Sequence, residues 1–169
     1  RLRGTRTWVG GPQYTQTSYG YDAWGNQNSL TTYTGFGTYS SAPTTSAAAT
    51  TTANDQTYFT YPVTIKNAKN QTTTLTYDYT KSVPLSETDP NGAVTSATYD
   101  AFGRMLSLTR PLDAGASLTM FYTNSFPFTT FITQKIDAAQ SITLIRKYDG
   151  MGRVFQTNTG GVITDTDYY

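Results

Sequence analysis

A Tyr-Asp dipeptide, followed by a glycine three residues after the aspartate, recurs along the chain and constrains its fold more than any other feature. Two copies have the complete pattern Tyr-Asp-x-x-Gly-Arg, a third ends in asparagine instead of arginine, and a fourth keeps the dipeptide but has lost the glycine. A repeat of roughly 20 residues indicates that one small structural unit is used many times. The motif residues are Tyr21, Asp22 and Gly25; Tyr77 and Asp78; Tyr99, Asp100, Gly103 and Arg104; and Tyr148, Asp149, Gly152 and Arg153.

The spacing of tyrosines extends this repeat to the end of the chain. Successive intervals are 22, 23, 26 and 20 residues, counted between Tyr77, Tyr99, Tyr122, Tyr148 and Tyr168, the last of which is followed by Tyr169. Tyr122 is followed by threonine and not by aspartate, so it marks a degenerate unit.

A second turn element alternates with the first. Asp89-Pro90-Asn91-Gly92 places its glycine seven residues before Tyr99. Related segments at 67–70, 137–140 and 158–161 end seven or eight residues before Tyr77, Tyr148 and Tyr168. An initial Asp or Asn accepts hydrogen bonds from backbone N–H groups further along, Pro presets φ, and a final Gly or Asn tolerates the left-handed conformation. We therefore predict a turn at Asp89–Gly92 and at each Tyr-Asp motif.

The segments between these turns are typical of short strands. Residues 72–79 alternate between a face with Leu75 and Tyr77 and a face of threonines, whereas residues 142–148 alternate less regularly because Arg146 shares a face with Ile142 and Leu144. Aromatic residues make up 14% of the chain, and no stretch has a helical period. The predicted fold class is all-β, a meander of short antiparallel strands.

The domain organisation follows from where the repeat is present. Residues 14–169 form the predicted repeat region, and residues 1–13 are a lead-in that shows no motif. Residues 38–57 are of low complexity, rich in Thr, Ser and Ala, and are predicted to be a mobile loop insertion. The chain begins without Met and stops in mid-pattern, so we expect it to be a piece of a longer polypeptide.

The residue types that are missing exclude several kinds of chemistry. The chain has no His and no Cys, so it has no His-dependent catalytic pair, no imidazole or thiolate metal ligand and no disulfide. No catalytic residue, metal ligand or cofactor is predicted. The net charge of +1 gives no reason to expect nucleic acid, and no apolar run approaches the roughly 18 residues of a membrane span.

These motifs resemble those of the RHS or YD-repeat family, whose units carry a Tyr-Asp-x-x-Gly-Arg signature. The resemblance covers residues 14–37 and 58–169, with two full copies at Tyr99–Arg104 and Tyr148–Arg153. It implies a β-hairpin strip that winds into a hollow shell, as in bacterial toxin complexes and wall-associated proteins. It also implies a secreted or cell-surface bacterial protein, with an enclosed toxin as a partner.

The resemblance implies that the motif residues are architectural. Tyr21, Tyr99 and Tyr148 are expected to stack between strands, the motif aspartates to bind turn N–H groups, and Arg104 and Arg153 to pair with carboxylates or carbonyls. Asp89-Pro90-Asn91-Gly92 is followed by alanine and not by leucine, so the aspartyl autoprotease of some family members is not expected in this chain.

Three other functions remain open at this level. Exposed tyrosines with Trp8 and Trp24 could stack on sugar rings in a glycan-binding adhesin module. Asp165 and Asp167 share a strand face, roughly 6.5–7 Å apart, and are the pair of carboxylates to consider for glycoside hydrolysis. Exposed strand edges could pair with the remainder of a longer polypeptide or with identical chains to form a filament.

Overall fold

The computed structural model describes residues 1–168, with all of their side chains except those of residues 46 and 47; Tyr169, predicted to close the repeat region, lies outside the described residues. The described chain has no helix and contains fourteen strands joined by turns and by a longer connection over residues 34–45, which confirms the predicted all-β meander. The strands are β1 Gly4–Gly10, β2 Gln13–Tyr21, β3 Gln27–Tyr33, β4 Ser46–Asn54, β5 Pro62–Lys66, β6 Thr72–Asp78, β7 Val83–Thr88, β8 Val94–Tyr99, β9 Met105–Thr109, β10 Leu118–Tyr122, β11 Phe128–Lys135, β12 Ser141–Tyr148, β13 Val154–Thr159 and β14 Val162–Asp165.

The chain divides into two compact units. The first comprises Arg1–Tyr77 and Glu87–Ala93, and the second comprises Asp78–Ser86 and the chain from Val94 onward. Within the first unit, β1 to β6 pair antiparallel in chain order. Within the second unit, β8 to β14 do the same.

Very few apolar side chains are buried. Among the described residues, Tyr14 is the buried hydrophobic side chain, at 2% exposure, and many large apolar groups stay at least one-third exposed. Hydrophobic burial is normally the main favourable contribution to folding. In this chain the hydrogen bonds of the ladders and turns, and contacts between cross-strand neighbours, must therefore carry an unusually large share.

The low-complexity segment, residues 38–57, is a strand over residues 46–54 and not a loop over its whole length, as its composition predicts. Residues 46–54 form β4, which pairs with β3 on one side and with β5 on the other. Threonine is β-branched and fits a pleated strand without apolar bulk, and the two neighbouring strands supply its backbone partners. Part of the lead-in, residues 4–10, is likewise a strand, β1, paired with β2.

No helix long and apolar enough to cross a membrane is found among residues 1–168.

Candidate functional site

The turn that begins at Asp100 shows how the repeated motif is built. The Asp100 backbone N–H donates to the Arg104 carbonyl at 2.9 Å, and the Gly103 N–H donates to the Asp100 carbonyl at 3.2 Å. One carboxylate oxygen, Oδ1, accepts the N–H groups of Phe102 and Arg104, each at 2.9 Å. Gly103 has a φ of 77°, a left-handed conformation that a glycine adopts without a steric penalty. In this turn the aspartate satisfies the backbone N–H groups, and the glycine occupies the left-handed position.

The same geometry recurs at both kinds of turn that the sequence distinguishes. In each case the first residue accepts the N–H groups two and four residues later through Oδ1, and the fourth residue has a positive φ. This holds for the Tyr-Asp motifs at Asp22 and Asp149, for the intermediate turn at Asp89, and for the one at Asn67. The fourth residues are Gly25, Gly152, Gly92 and Asn70, with φ of 100°, 79°, 82° and 62°.

Asp78, whose motif has lost its glycine, forms a variant of the turn. Its Oδ1 accepts the N–H groups of Thr80 and Lys81, and its Oδ2 accepts from the Lys81 ammonium at 2.7 Å. The left-handed position moves to Ser82, with a φ of 59°.

The second carboxylate oxygen of each motif aspartate holds the side chain that closes the motif. Asp100 Oδ2 accepts from Arg104 Nε at 2.6 Å, and Asp149 Oδ2 accepts from Arg153 Nε at 2.8 Å. In the motif that ends in asparagine, Asn26 Nδ2 donates to Asp22 Oδ2 at 3.0 Å. The asparagine thus replaces the arginine in this contact.

These hydrogen bonds favour the ionised form of the aspartates. For Asp149 the N–H of Arg153 is the main cause of a lowered pKa, and for Asp89 it is the N–H of Ala93. For Asp100, partial burial raises the pKa, but hydrogen bonds from the backbone and side chain of Arg104 outweigh it and lower the pKa overall. The aspartates are therefore anions fixed in turns, not groups poised to exchange a proton near neutral pH.

Each motif arginine also contacts a tyrosine that lies at or just beyond the end of the next strand but one, in an arrangement that we call the clasp. The Arg104 guanidinium lies over the Tyr122 ring, 4.4 Å from its centroid, and the Tyr122 hydroxyl donates to the Met105 carbonyl at 2.9 Å. Burial is the main cause of a raised Tyr122 pKa. The Tyr122 ring thus covers the Arg104 guanidinium, while the Tyr122 hydroxyl bonds to the backbone of Met105, the residue after the arginine.

Three further clasps follow the same rule. Arg153 lies over Tyr168 at 4.3 Å and Arg1 lies over Tyr21 at 5.9 Å, and each tyrosine hydroxyl donates to the carbonyl of the residue that follows the arginine. In the fourth clasp Tyr61 replaces the arginine: its ring stacks on Tyr77 at 4.8 Å, and the Tyr77 hydroxyl donates to the Pro62 carbonyl.

The two remaining motif tyrosines have a different place in the ladder. Tyr99 lies opposite Met105, and Tyr148 lies opposite Phe128 and Val154. Both are half-buried. Each of these tyrosines is the last residue of its strand, directly before the turn, and lies opposite a residue of the strand that follows the turn.

Sequence reasoning missed the tyrosines that close the clasps in the second unit. Tyr122 was predicted to mark only a degenerate unit, because threonine follows it, yet its ring and hydroxyl make the full clasp. The detectable signal is a tyrosine 15 to 20 residues after a motif arginine or its substitute, a spacing met by all four clasps.

Asp55 was also missed. It is buried at 5% exposure, and its carboxylate accepts five backbone N–H groups, from Thr57 through Tyr61. Burial raises its pKa, but these hydrogen bonds outweigh burial and lower the pKa to about 2.

Two of the residues considered for catalysis or sugar stacking, Asp165 and Trp24, have contacts within the protein. Asp165 accepts from Gln156 Nε2 at 2.8 Å, and Asp167 is exposed beyond the end of β14. Trp24 stacks on Phe59 with ring centroids 3.6 Å apart. Among residues 1–168 no group of three or more acidic side chains is arranged to hold a metal ion.

The fold and these contacts define a β-repeat protein whose hairpins are closed by Asp-centred turns and joined by tyrosine clasps. The family model described as RHS Repeat matches residues 84–114, a segment that includes the turns at Asp89 and Asp100. No curated protein matches the chain. The match over residues 84–114 supports the resemblance of the repeat motifs to the RHS/YD-repeat family.

Proposed function

We propose that this chain is a non-catalytic wall segment of an RHS/YD-repeat shell, in a secreted or surface bacterial protein that encloses or delivers a toxin. The observation that carries the proposal is that the motif side chains bond to their own turns and to neighbouring strands. The Asp100 carboxylate, for example, accepts hydrogen bonds from the Arg104 side chain and from two backbone N–H groups, and the Tyr122 hydroxyl donates to the Met105 carbonyl. Side chains that bond within the repeat in this way stabilise the wall.

A wall is also consistent with the thin core. A strip that buries so few apolar side chains gains stability from each added neighbour, as repeat proteins do, and not from a central core. Half-buried tyrosines suit such a wall because the ring packs while the hydroxyl bonds to the backbone.

Limited proteolysis of the full-length secreted polypeptide tests the enclosing role. We expect the enclosed segment to resist protease in the wild type and to become sensitive when Tyr122→Leu and Tyr168→Leu open two clasps. Arg146→Ala, an exposed arginine on β12 outside the clasps, serves as the matched control and is expected to leave the resistance unchanged. Equal digestion of the segment in wild type and clasp variants would contradict the proposal.

A chromogenic glycoside assay tests the non-catalytic part. We expect the 169-residue chain to hydrolyse no faster than buffer and no faster than an Asp165→Asn, Asp167→Asn variant. A rate that those two substitutions abolish would make the chain an enzyme and would overturn this part of the proposal.

A further inference from the structure

Strands β1 and β2 of the first unit carry an aromatic and cationic cluster on one face. Arg6 lies directly opposite Gln16, and Trp8 lies directly opposite Tyr14. Residues that oppose each other in an antiparallel pair share a face, as do residues two apart on a strand. The four side chains therefore project on the same side, and the motif contacts described above use none of them.

The aromatic part of the cluster is exposed but held in place. The Trp8 ring is 48% exposed and lies 4.6 Å from the ring of Tyr39, which is 80% exposed. Beneath them, buried Tyr14 meets Trp8 edge-on at 5.1 Å and exchanges two backbone hydrogen bonds with Gly37. The exposed rings thus rest on a fixed support, which lowers the entropy cost of binding a ligand against them.

The cationic part lies next to the rings. Arg6 Nε donates to Gln16 Oε1 at 3.2 Å, and its guanidinium lies 4.8 Å from the centroid of the Tyr14 ring. Arg3, Gly4, Arg6 and Gln16 line an open depression of about 470 Å³, within the size range of small-molecule sites.

Arginines outnumber carboxylates in this region. Residues 1–22 contain three arginines and one acidic residue, Asp22, which lines a neighbouring depression with Arg1 and Arg3. Arg1 is used in the clasp with Tyr21, whereas no described carboxylate pairs with Arg3 or Arg6. A guanidinium fork matches a carboxylate in a bidentate geometry, so the depression is complementary to a carboxylate anion.

We propose that Arg3, Arg6 and the Trp8–Tyr39 pair form a binding site for a glycan that carries carboxylate groups, of the uronic acid class. The negative face of an aromatic ring attracts the C–H groups on the apolar side of a sugar ring, and the arginines bind its carboxylate. Trp8 and Arg6 are roughly 6.5–7 Å apart along the strand, so one sugar unit or two adjacent units reach both. The site goes beyond the proposed wall function and does not depend on it.

A nucleic acid would also combine stacking with negative charge, but it fits this site less well. Protein–nucleic acid affinity comes largely from several phosphate contacts, and the site offers two arginines in a chain of net charge +1. A uronate oligomer requires only one cation for each sugar that it binds here.

Fluorescence and calorimetric titration of the whole chain with a galacturonic acid tetramer test the site. The chain contains two tryptophans, so the Trp24→Phe variant leaves Trp8 as its only tryptophan reporter, and the Trp8→Phe variant leaves Trp24. We expect the ligand to change the emission in the first variant and not in the second. By calorimetry we expect a Kd below roughly 1 mM at low salt.

The variants and ligands have matched controls. Arg3→Gln and Arg6→Gln are each expected to weaken binding about tenfold, the size of one lost charge-assisted hydrogen bond, whereas Arg110→Gln, an exposed arginine of the second unit, is expected to change nothing. Circular dichroism checks that each variant is folded, and Arg3→Gln, which removes no described side-chain contact, remains informative if Arg6→Gln unfolds. The absence of binding to the folded chain, equal affinity for the methyl-esterified tetramer, or tighter binding of oligothymidylate would each overturn the proposal.

Discussion

The clasp between Arg104 and Tyr122 makes a quantitative prediction about stability. Tyr122→Phe removes the 2.9 Å hydrogen bond to the Met105 carbonyl and keeps the ring, so we expect a loss of about 0.5–1.5 kcal/mol in unfolding free energy. Tyr122→Leu also removes the ring that lies 4.4 Å from the guanidinium carbon, which adds about 0.5–1 kcal/mol. Together these losses amount to about 1–2.5 kcal/mol for Tyr122→Leu.

A double-mutant cycle isolates the arginine–ring contact. We expect Arg104→Ala and Tyr122→Leu to couple by about 0.5–1 kcal/mol, because each variant alone already removes the contact. Arg146→Ala is the control partner, since Arg146 lies over no aromatic ring of residues 1–168, and its coupling to Tyr122→Leu is expected to stay within about 0.3 kcal/mol of zero.

The assay has to report on the second unit, which contains no tryptophan. Urea unfolding followed by NMR at the amide of Ile132, which lies in the middle of β11 beside β10, meets this need. If Tyr122→Phe is as stable as the wild type and the cycle shows no coupling, the clasp does not hold neighbouring strands together.

Three other predictions concern the turns and the low-complexity strand. Asp55 has a folded pKa of about 2, below its value in an unfolded chain, so its carboxylate stabilises the fold above about pH 4 and loses this effect as the pH falls toward 2. The difference in urea midpoint between wild type and Asp55→Asn should therefore shrink over that range. A constant difference would refute the lowered pKa of Asp55. Gly103→Ala is expected to cost about 1–2 kcal/mol because of its φ of 77°, whereas Gly150→Ala, with no positive φ and no atom within 4 Å of a new Cβ, should change thermal unfolding little. Hydrogen exchange should protect the amides of residues 48–53 as well as those of β3, and fast exchange there would mean that β4 is absent in solution.

The turns and the strands that they join could be predicted from the sequence because the responsible residues are local. Asp89 and Gly92, for instance, are sufficient to define a turn from backbone chemistry alone. The strand β4 could not be predicted, because a run of Thr and Ala lacks the apolar alternation that distinguishes a strand, and its pairing depends on β3 and β5. The Tyr-Asp motif was found for the same local reason, whereas the clasp joins Tyr122 to Arg104 across 18 residues, a spacing that is recognised only when the four clasps are compared in the structure.

The short reach of the clasps has a consequence for how such a chain is made. Each tyrosine hydroxyl bonds to a carbonyl between 14 and 19 residues earlier, so its partner has already been synthesised when the tyrosine emerges. Closing contacts of this kind require only short loops to be ordered, which favours fast, sequential folding. Each unit of such a chain can close as soon as it has been synthesised, and units can be added without leaving any earlier strand unpaired.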